Sequence, residues 1–333
     1  MPNVLLTQSC VRSCPYCFAR KHMAESAPRD VLRWEDLLYL ADLFEISQER
    51  NVALLGGEPT LHPDFVDFVL YLVHRDFHVT VFTSGLLSER RLEEVERHLR
   101  DVPTERLSCV VNVNEPGICT PAEIARLDRF LESFGRFCSL GFNIYRTDFD
   151  LTFLLDLVNR HGTQRHIRLG LAHPIPGENT TFIRPEDLHL AAARLLEFVP
   201  LIRRLRATIG FDCGLPLCLF TAEQLGALHV VTRGETRCGC GPAIDIGPDM
   251  TVWSCFPLAN FHRRSVFEFD SIGQIREYYD GLHRQVREEA AGLFDACDTC
   301  EHRETGLCRG GCLAHTLARF RAEPRVRAEA VYT

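Results

Sequence analysis

Three cysteines near the start of the chain constrain what it can do more than any other feature. Cys10, Cys14 and Cys17 are separated by three and then two residues. Thiolates are soft ligands that suit iron–sulfur clusters, and a [4Fe–4S] cluster is normally held by four of them. Because this short loop supplies only three, the fourth iron is left for a ligand that is not protein. A zinc knuckle or a disulfide loop is the alternative, but structural zinc sites usually come as two cysteine pairs.

A second motif, Gly56-Gly57-Glu58-Pro59, follows the second predicted strand. Two glycines let the backbone turn sharply and approach a ligand closely. The Glu58 carboxylate can accept charge-assisted hydrogen bonds from an ammonium group. A plain turn between strand and loop is the alternative, and the nearby cysteine triplet favours a binding role.

The composition narrows the class of protein. The chain has 333 residues, 46% of them hydrophobic, and this length suggests one large domain with a smaller one. Its net charge is −8, and the basic stretch 203–206 is more simply a solvated helix face than a nucleic-acid footprint. No signal peptide or membrane-spanning segment is evident, so we expect a cytoplasmic protein. The cysteines number fifteen, and this odd count favours metal binding over disulfides in that compartment.

Short β-like runs alternate with longer helical patterns through the first two-thirds of the chain. Such alternation predicts a parallel sheet with helical crossovers, and the ligand site of such a sheet lies at the carboxyl ends of its strands. The cysteine triplet directly follows the first strand, as that rule requires. The predicted strands are Asn3–Gln8, Asn51–Leu55, His78–Thr83, Leu107–Val113, Phe137–Ile144 and His166–Ala172.

Several helix starts carry recognisable capping residues. Thr120-Pro121-Ala122-Glu123 is a capping box with proline at the first helical position. Pro185 opens a sixth helix, which we expect to end near Val199 because Pro200 follows. Six strand–helix units would suit either a partial barrel or a doubly wound sheet.

The triplet, with Tyr16 just before its last cysteine, resembles the CxxxCxxC motif of the radical S-adenosylmethionine (SAM) enzymes, and the glycine turn resembles their GGEP motif. The resemblance implies an α/β fold with a partial (β/α)6 barrel rather than a doubly wound sheet. It also implies that the open iron binds the amino and carboxylate groups of SAM, and that Glu58 holds the amino group. An electron from the cluster would then cleave SAM to methionine and a 5′-deoxyadenosyl radical, which abstracts hydrogen from a substrate.

Further polar residues end the later strands. Ser84 follows strand three, where the family often has an asparagine, while Asn112 and Asn114 end strand four. Asn143 and Arg146 follow strand five, and loop capping explains each of these residues equally well. The residues that we predict to contact the cofactor are Tyr16, Gly56, Gly57, Glu58, Ser84, Asn112 and Arg146. The candidate catalytic residues are His173 and Asp212, although a lone histidine at a strand end is more often structural.

After about residue 206 the helical periodicity is lost and cysteines become frequent. A dense run of four ends at Cys312, and a predicted β-hairpin ends at Cys255. These features resemble the SPASM extension of radical SAM enzymes, a small cysteine-rich α+β region that carries auxiliary [4Fe–4S] clusters. We therefore divide the chain into a barrel at 1–206 and a SPASM-like domain at 207–333. The additional metal ligands that we predict are Cys213, Cys218, Cys238, Cys240, Cys255, Cys297, Cys300, Cys308 and Cys312.

The resemblance to the SPASM extension has three departures. Met250 stands where a glycine usually precedes the hairpin cysteine, the spacer before Cys308 is seven residues instead of five, and no cysteine follows Cys312. The resemblance implies that Cys255 and Cys312 join two upstream cysteines around one cluster. The farther cluster would take an upstream cysteine, a group such as His315, or no fourth ligand. A structural zinc site is the alternative for the last cysteine run. The sequence therefore predicts either one or two auxiliary clusters.

The resemblance does not identify the substrate. SPASM enzymes commonly modify peptides or proteins, so a ribosomally made peptide is the first hypothesis. Dehydrogenation, epimerisation or decarboxylation of a small molecule is the second, and a non-catalytic iron–sulfur or zinc interaction module is the third. Because strand one begins at about Asn3, we expect no N-terminal peptide-recognition domain, and a separate recognition protein would then serve a peptide substrate. An electron donor such as flavodoxin or ferredoxin is also implied, and we expect neither nucleic acid nor membrane as a partner.

Overall fold

One sheet organises the chain. The computed structural model describes residues 1–19, 30–175, 180–213, 215–236 and 239–322. Within these ranges ten strands form a single sheet in the order β10-β9-β8-β1-β2-β3-β4-β5-β6-β7. The strands are β1 (Pro2–Thr7), β2 (Asn51–Gly56), β3 (His78–Thr83), β4 (Leu107–Asn112), β5 (Cys138–Ile144), β6 (His166–Leu171), β7 (Thr208–Phe211), β8 (Ile244–Ile246), β9 (Thr251–Trp253) and β10 (Arg264–Ser265). All six predicted strands are confirmed.

The strand order distinguishes the two topologies that the sequence left open. Strands β1 to β7 pair in parallel and follow one another in chain order. Every crossover therefore moves in the same direction, and right-handed crossovers then place their helices on one face of the sheet. A doubly wound sheet would reverse its order at a switch point, and β1 to β7 contain no reversal. The predicted partial barrel is confirmed, with β7 as an additional parallel strand.

Ten helices accompany the sheet in the described part of the chain. Their bounds are α1 (Trp34–Ile46), α2 (Phe65–His74), α3 (Glu89–Leu99), α4 (Pro121–Phe134), α5 (Thr152–His161), α6 (Leu188–Arg204), α7 (Ala222–Val231), α8 (Ile272–Glu289), α9 (Glu301–Glu304) and α10 (Leu313–Ala322). None of these described helices combines the length and the apolar character needed to cross a bilayer.

Two predictions about helix ends have different outcomes. The capping box at the start of α4 is confirmed, because Thr120 and Glu123 make both of its hydrogen bonds. The predicted end of α6 is wrong, because the helix continues through Pro200 to Arg204. Proline removes one backbone hydrogen bond from a helix interior. Val199 and Ile202 are buried on either side of it, and this packing outweighs the lost bond.

The two faces of the barrel sheet differ in polarity. In β3, Val79 and Val81 pack into the hydrophobic core beneath the helices. His78, Thr80 and Phe82 alternate with them, face the inside of the barrel and are only partly buried. The main core thus lies between the strands and the helices, while polar side chains line the inside of the barrel.

The cysteine-rich part of the chain extends the same sheet. Strand β8 pairs in parallel with β1, with Pro2 opposite Ile244. Strands β8 and β9 pair antiparallel, which confirms the predicted hairpin, and β10 adds one more antiparallel strand. The extension therefore continues the hydrogen-bonding ladder of the barrel beyond β1.

Met250 occupies the hairpin position where related extensions usually have glycine. Its φ is +60°, a left-handed conformation that glycine adopts more readily than other residues. The Met250 side chain is 4% exposed, and its carbonyl accepts a hydrogen bond from the Val266 N–H at 2.9 Å. Burial of the side chain and this bond offset the backbone strain.

Candidate active site

The root of the cysteine loop is docked on the turn that follows β2. The Gly57 N–H donates to the Thr7 carbonyl and the Glu58 N–H donates to the Ser9 carbonyl, each at 2.8 Å. A Cβ atom at Gly56 would lie 2.2 Å from the Thr7 carbonyl oxygen, and one at Gly57 would lie 2.3 Å from the Ser9 carbonyl oxygen. Such distances are too short for any side chain, so both positions require glycine. The close approach that the two glycines permit is to the cysteine loop itself.

The three cysteines lie just beyond this root, at the carboxyl end of β1. The Arg12 N–H donates to Cys10 Sγ at 3.5 Å, and Asn114 Nδ2 donates to Cys14 Sγ at 3.5 Å. The Cys17 N–H donates to the Cys14 carbonyl at 3.1 Å, which turns the loop back on itself. Burial is the largest cause that raises the pKa of the Cys10 thiol. A thiolate at this buried position needs a cationic partner to stabilise it. Hydrogen bonds from N–H donors of this kind help to set the reduction potential of an iron–sulfur cluster.

The Glu58 carboxylate is buried and fully occupied by the protein. Its Oε1 accepts from Thr60 Oγ1 at 2.8 Å, from the Thr60 N–H at 3.3 Å and from Thr83 Oγ1 at 2.7 Å. Its Oε2 accepts from the Ser84 N–H at 2.7 Å and from Ser84 Oγ at 2.6 Å. A carboxylate offers about four lone-pair sites, so these contacts satisfy it. Glu58 therefore ties the end of β2 to the end of β3.

Tyr16 belongs to a second connection, between the cysteine loop and the ends of β4 and β5. Its hydroxyl donates to Asn114 Oδ1, and its ring stacks on Tyr145 with centroids 4.9 Å apart. Burial, followed by the neighbouring Cys14 thiolate, raises the pKa of the Tyr16 phenol. Asn114 thus bridges Tyr16 and Cys14, and the phenol stays protonated as a donor.

Arg12 is a site residue that the sequence reasoning missed. Its Nη1 donates to the Asn112 carbonyl at 3.0 Å, and its Nε lies 3.6 Å from Glu123 Oε1. The side chain is only 6% exposed, and its Nε has no hydrogen-bond partner among the described residues. The signal in the sequence was a charged residue inside the cysteine triplet, which is unusual in a loop that becomes buried.

One group of cysteines in the extension, the inner set, joins the hairpin to the last helix. Cys240, Cys255 and Cys312 pack beside a small apolar cluster that includes Leu258. Burial, followed by Cys312, Cys240, Asp245 and Cys213, raises the pKa of the Cys255 thiol. The inner set is therefore Cys213, Cys240, Cys255 and Cys312.

A separate group, the outer set, consists of Cys297, Cys300 and Cys308. A Cβ atom at Gly292 would lie 2.6 Å from Cys297 Sγ and 2.8 Å from the Gly310 Cα, so two glycines let the ends of this cysteine run meet. The Arg303 N–H donates to the Cys300 carbonyl at 3.0 Å. The structure also places Cys218 opposite these three thiols.

A groove of about 750 Å³ runs between the two sets. Cys240 of the inner set and Cys308 of the outer set both line it, together with Arg287, Arg303 and Arg309. Guanidinium groups beside clustered thiolates favour their charged form. Among the described residues, no three His, Cys, Asp or Glu side chains converge closely enough to hold a single metal ion. Cys238, also predicted as a ligand, lies outside the described residues.

A family model described as the Radical SAM superfamily matches residues 4–168, from β1 into β6. The chain belongs to the radical SAM superfamily. Over 93% of its length it is 26% identical to the mycofactocin maturase MftC of Mycobacterium ulcerans, and it covers 81% of that protein. This similarity includes the cysteine-rich extension that the family model does not reach.

Solved structures of radical SAM proteins share the fold over nearly the whole chain. Streptococcus suis SuiB, solved with bound SAM, superposes with a TM-score of 0.65 at 15% identity, covering 100% of this chain and 77% of SuiB. The anSMEcpe protein, solved with bound AdoMet, superposes with a TM-score of 0.64 at 15% identity, covering 94% of this chain and 90% of the other. The likeness confirms the fold, a partial barrel followed by an extension.

The barrel cysteines of this radical SAM protein fit a [4Fe–4S] cluster. Three cysteines on one short loop supply soft ligands, and backbone and amide N–H groups point at two of their sulfurs. The buried Arg12 places a positive charge beside this anionic centre. Cys10, Cys14 and Cys17 would hold the cluster, and its chemistry when bound is to donate one electron to SAM.

The other predicted SAM contacts have protein partners of their own. Ser84 is engaged with Glu58, as described above. Arg146 Nη2 lies 2.8 Å from Glu115 and its Nε lies 3.3 Å from Asp148, so its charge is already paired. Asn112 offers its side chain to the inside of the barrel, where its Oδ1 lies 2.7 Å from the position of a Cβ at Gly141. SAM contacts by these residues stay predictions.

The two candidate catalytic residues lie at different places and do not form one group. His173 is 5% exposed, and neither ring nitrogen has a hydrogen-bond partner in the described part of the chain. Its ring lies 5.2 Å from that of His315, whose pKa is lowered to about 3, chiefly by burial. Asp212 instead pairs with Arg168 inside the barrel, and burial raises its pKa against the opposing effect of that arginine. Catalysis by either residue stays a prediction.

Replacing Gly57 by alanine should detach the cysteine loop. The new Cβ would lie 2.3 Å from the Ser9 carbonyl oxygen, so the loop root must move and the three thiols lose their alignment. We expect anaerobically reconstituted Gly57→Ala protein to lose the barrel cluster, measured by iron content and by electron paramagnetic resonance (EPR). Gly117→Ala is the control, since a Cβ there meets nothing within 4 Å. A normal barrel cluster in Gly57→Ala would contradict this role.

Replacing Glu58 by glutamine tests whether its carboxylate stabilises the fold or binds SAM directly. An amide has one acceptor oxygen, so either the Ser84 N–H or the Thr60 N–H must face an NH2 group. A buried donor without a partner costs about 1–3 kcal/mol, and we expect a lower thermal midpoint even without SAM. The exposed Glu93→Gln is the control. If instead Glu58→Gln melts like the wild type and only SAM affinity falls, the carboxylate acts on SAM directly.

Proposed function

We propose that the chain is a radical SAM maturase that modifies residues of a ribosomally made peptide. The observation that carries the proposal is the continuity of the barrel with the cysteine-rich extension along one sheet. The cysteine loop and the hairpin share a small apolar cluster in which Phe18 and Phe256 lie 4.9 Å apart, and Cys17 packs against it. A substrate held at the barrel mouth would therefore lie beside both parts.

The relatives support a peptide as the substrate class. The protein that is similar over nearly the full length is a mycofactocin maturase. SuiB has been solved bound to the precursor peptide SuiA, and anSMEcpe bound to the Cp18Cys peptide. These proteins share the barrel together with an extension of the kind this chain has, and we extend their substrate class to it on that basis.

We infer two auxiliary [4Fe–4S] clusters in the extension, one at each cysteine set. Soft thiolates that gather in two separate groups suit clusters better than one zinc site. Arg287, Arg303 and Arg309 line the groove between the sets, so their charges would offset those of the bound clusters. When bound, such clusters accept or donate single electrons.

The residues of this chain bind and orient the reacting groups. The docking of Thr7–Ser9 on the glycine turn fixes the cysteine loop relative to β2, and Glu58 fixes β2 relative to β3. Tyr16 and Asn114 close the other side of the loop, and Asn114 also donates a hydrogen bond to Cys14. Orientation and exclusion of water are the contributions that a protein makes to cofactor chemistry.

The inside of the barrel provides contacts for the substrate. Arg168 pairs with Asp212, and its guanidinium lies 4.4 Å from the ring centroid of Phe82. The Arg168 and Asp212 side chains are 31% and 35% exposed, so both are accessible to a substrate. An arginine held flat over an aromatic ring keeps donors free for a backbone carbonyl or a carboxylate. We propose this assembly as a substrate contact.

The reaction also requires partners. We infer an electron donor such as flavodoxin or ferredoxin, because reductive SAM cleavage consumes one electron per turnover. A separate recognition protein would present the peptide. Thiol clusters of this kind persist in a reducing compartment, which supports the cytoplasm as the location.

Reductive SAM cleavage tests the enzymatic part of the proposal. Reconstituted protein given dithionite and SAM without oxygen should release 5′-deoxyadenosine, even without substrate. The combined replacement of Cys10, Cys14 and Cys17 by alanine should abolish this release, since no other described thiols occupy the loop. Chromatography of the nucleoside products measures it. Undiminished release from the triple variant would refute the assignment of these three ligands.

Co-expression tests the substrate class. The gene would be expressed with the short open reading frames that neighbour it, and each peptide would be examined by high-resolution mass spectrometry. We expect one peptide to change mass, and the change to vanish with the triple cysteine variant. Turnover of an amino acid or sugar nucleotide, with every neighbouring peptide unchanged, would overturn the peptide assignment while leaving SAM cleavage intact.

A further inference from the structure

The outer set lacks a ligand within its own stretch of chain. A [4Fe–4S] cluster held only by protein needs four thiolates, and Cys297, Cys300 and Cys308 provide three. Cys312 packs with Cys240 and Cys255 of the inner set instead. A fourth thiolate would then come from another stretch of the chain.

A short helical turn that follows β7 packs against the outer set. Cys218 is the middle residue of the helical turn Leu217–Leu219. Leu217, immediately before it, is 6% exposed and packs against Cys308. Pro216 lies 3.5 Å from the position of a Cβ at Gly311, so the turn rests along the cysteine run. This packing places Cys218 beside the outer set.

The thiols that surround Cys218 are those of the outer set. Cys297, Cys308 and Cys300 are the thiols that lie near enough to Cys218 to interact with it. Three cysteines from a separate stretch of chain thus neighbour this one thiol. Together the four form the all-cysteine ligand set that a [4Fe–4S] cluster would take.

The other candidates for this position are committed elsewhere. Cys213 and Cys240 face Cys255 and Cys312 of the inner set. His315 instead packs against two other rings, 5.2 Å from that of His173 and 5.3 Å from that of Phe182. Cys238 is outside the described residues, and the variant Cys238→Ala tests it directly.

We propose that Cys218 is the fourth ligand of the outer auxiliary cluster. The inference rests on the two auxiliary clusters of the proposed function. Cys213 and Cys218 would then supply one ligand each, Cys213 to the inner cluster and Cys218 to the outer. All-thiolate ligation keeps the outer cluster at a lower reduction potential than a neutral imidazole ligand would.

Two substitutions at Cys218 test the assignment in the full chain. Both are made in the protein whose barrel triplet is already replaced by alanine, so that only auxiliary clusters contribute. The parent protein should hold about eight irons, four for each cluster. Cys218→Ala should lower the iron content and alter the EPR signal of the outer cluster alone. Cys218→Ser, which offers an oxygen ligand, should retain the cluster with a changed reduction potential.

Matched substitutions separate this assignment from its rivals. Cys109→Ala removes a buried core cysteine outside both sets and should leave both auxiliary signals unchanged. Cys213→Ala should alter the inner signal, and Cys238→Ala and His315→Ala should leave the outer one intact. The proposal is overturned if both Cys218 variants match the parent, or if Cys238→Ala or His315→Ala alters the outer cluster instead. A parent with about four irons would overturn the two-cluster function itself, a result visible before any Cys218 variant is made.

Discussion

The structure depends on a few backbone contacts between the start of the cysteine loop and the turn after β2. Two hydrogen bonds of 2.8 Å join them, and the absence of side chains at Gly56 and Gly57 lets the two segments touch. A loop of three thiolates has little structure of its own, because its residues have no regular hydrogen-bonding partners. The glycine turn supplies those partners, and Glu58 extends the support to β3. Through these contacts, strands β2 and β3 of the parallel sheet fix the position of the three barrel cysteines.

The extension is connected to this centre by packing and by hydrogen bonds. Strand β8 adds to the free edge of β1, and the hairpin brings Trp253 and Phe256 against the loop that bears Cys17. Cys255 of the inner set lies at the end of the same hairpin, and Cys312 lies just before the last described helix. Electron transfer between the parts of such a molecule requires fixed distances, and a shared sheet fixes them more firmly than a linker would. The outer set lies farther along the chain and depends on close glycine contacts instead.

Sequence reasoning predicted the strands, the hairpin and the barrel triplet, because each has a local signature. Alternating hydrophobic runs, turn residues and short cysteine spacings are readable within a few positions. It did not predict the partners of Glu58, since Thr60, Thr83 and Ser84 converge on it only after β2 and β3 pair. The place of Cys218 was likewise hidden, because it depends on contacts between segments far apart in the chain. Helix α6 continues through Pro200 for the same reason. Burial of the residues around Pro200 is a tertiary effect, and it outweighs the low helix propensity of proline.

The pairing of β1 with β8 has a consequence for how the molecule is made. Pro2–Val4 leave the ribosome well before their partners Ile244–Ile246. At 5–20 residues per second, this edge of β1 stays unpaired for roughly 12–50 s. An apolar edge strand of this kind is a template for wrong pairing, and its late cover favours protection by a chaperone. The same delay leaves the Cys17 side of the loop uncovered until the hairpin has been made.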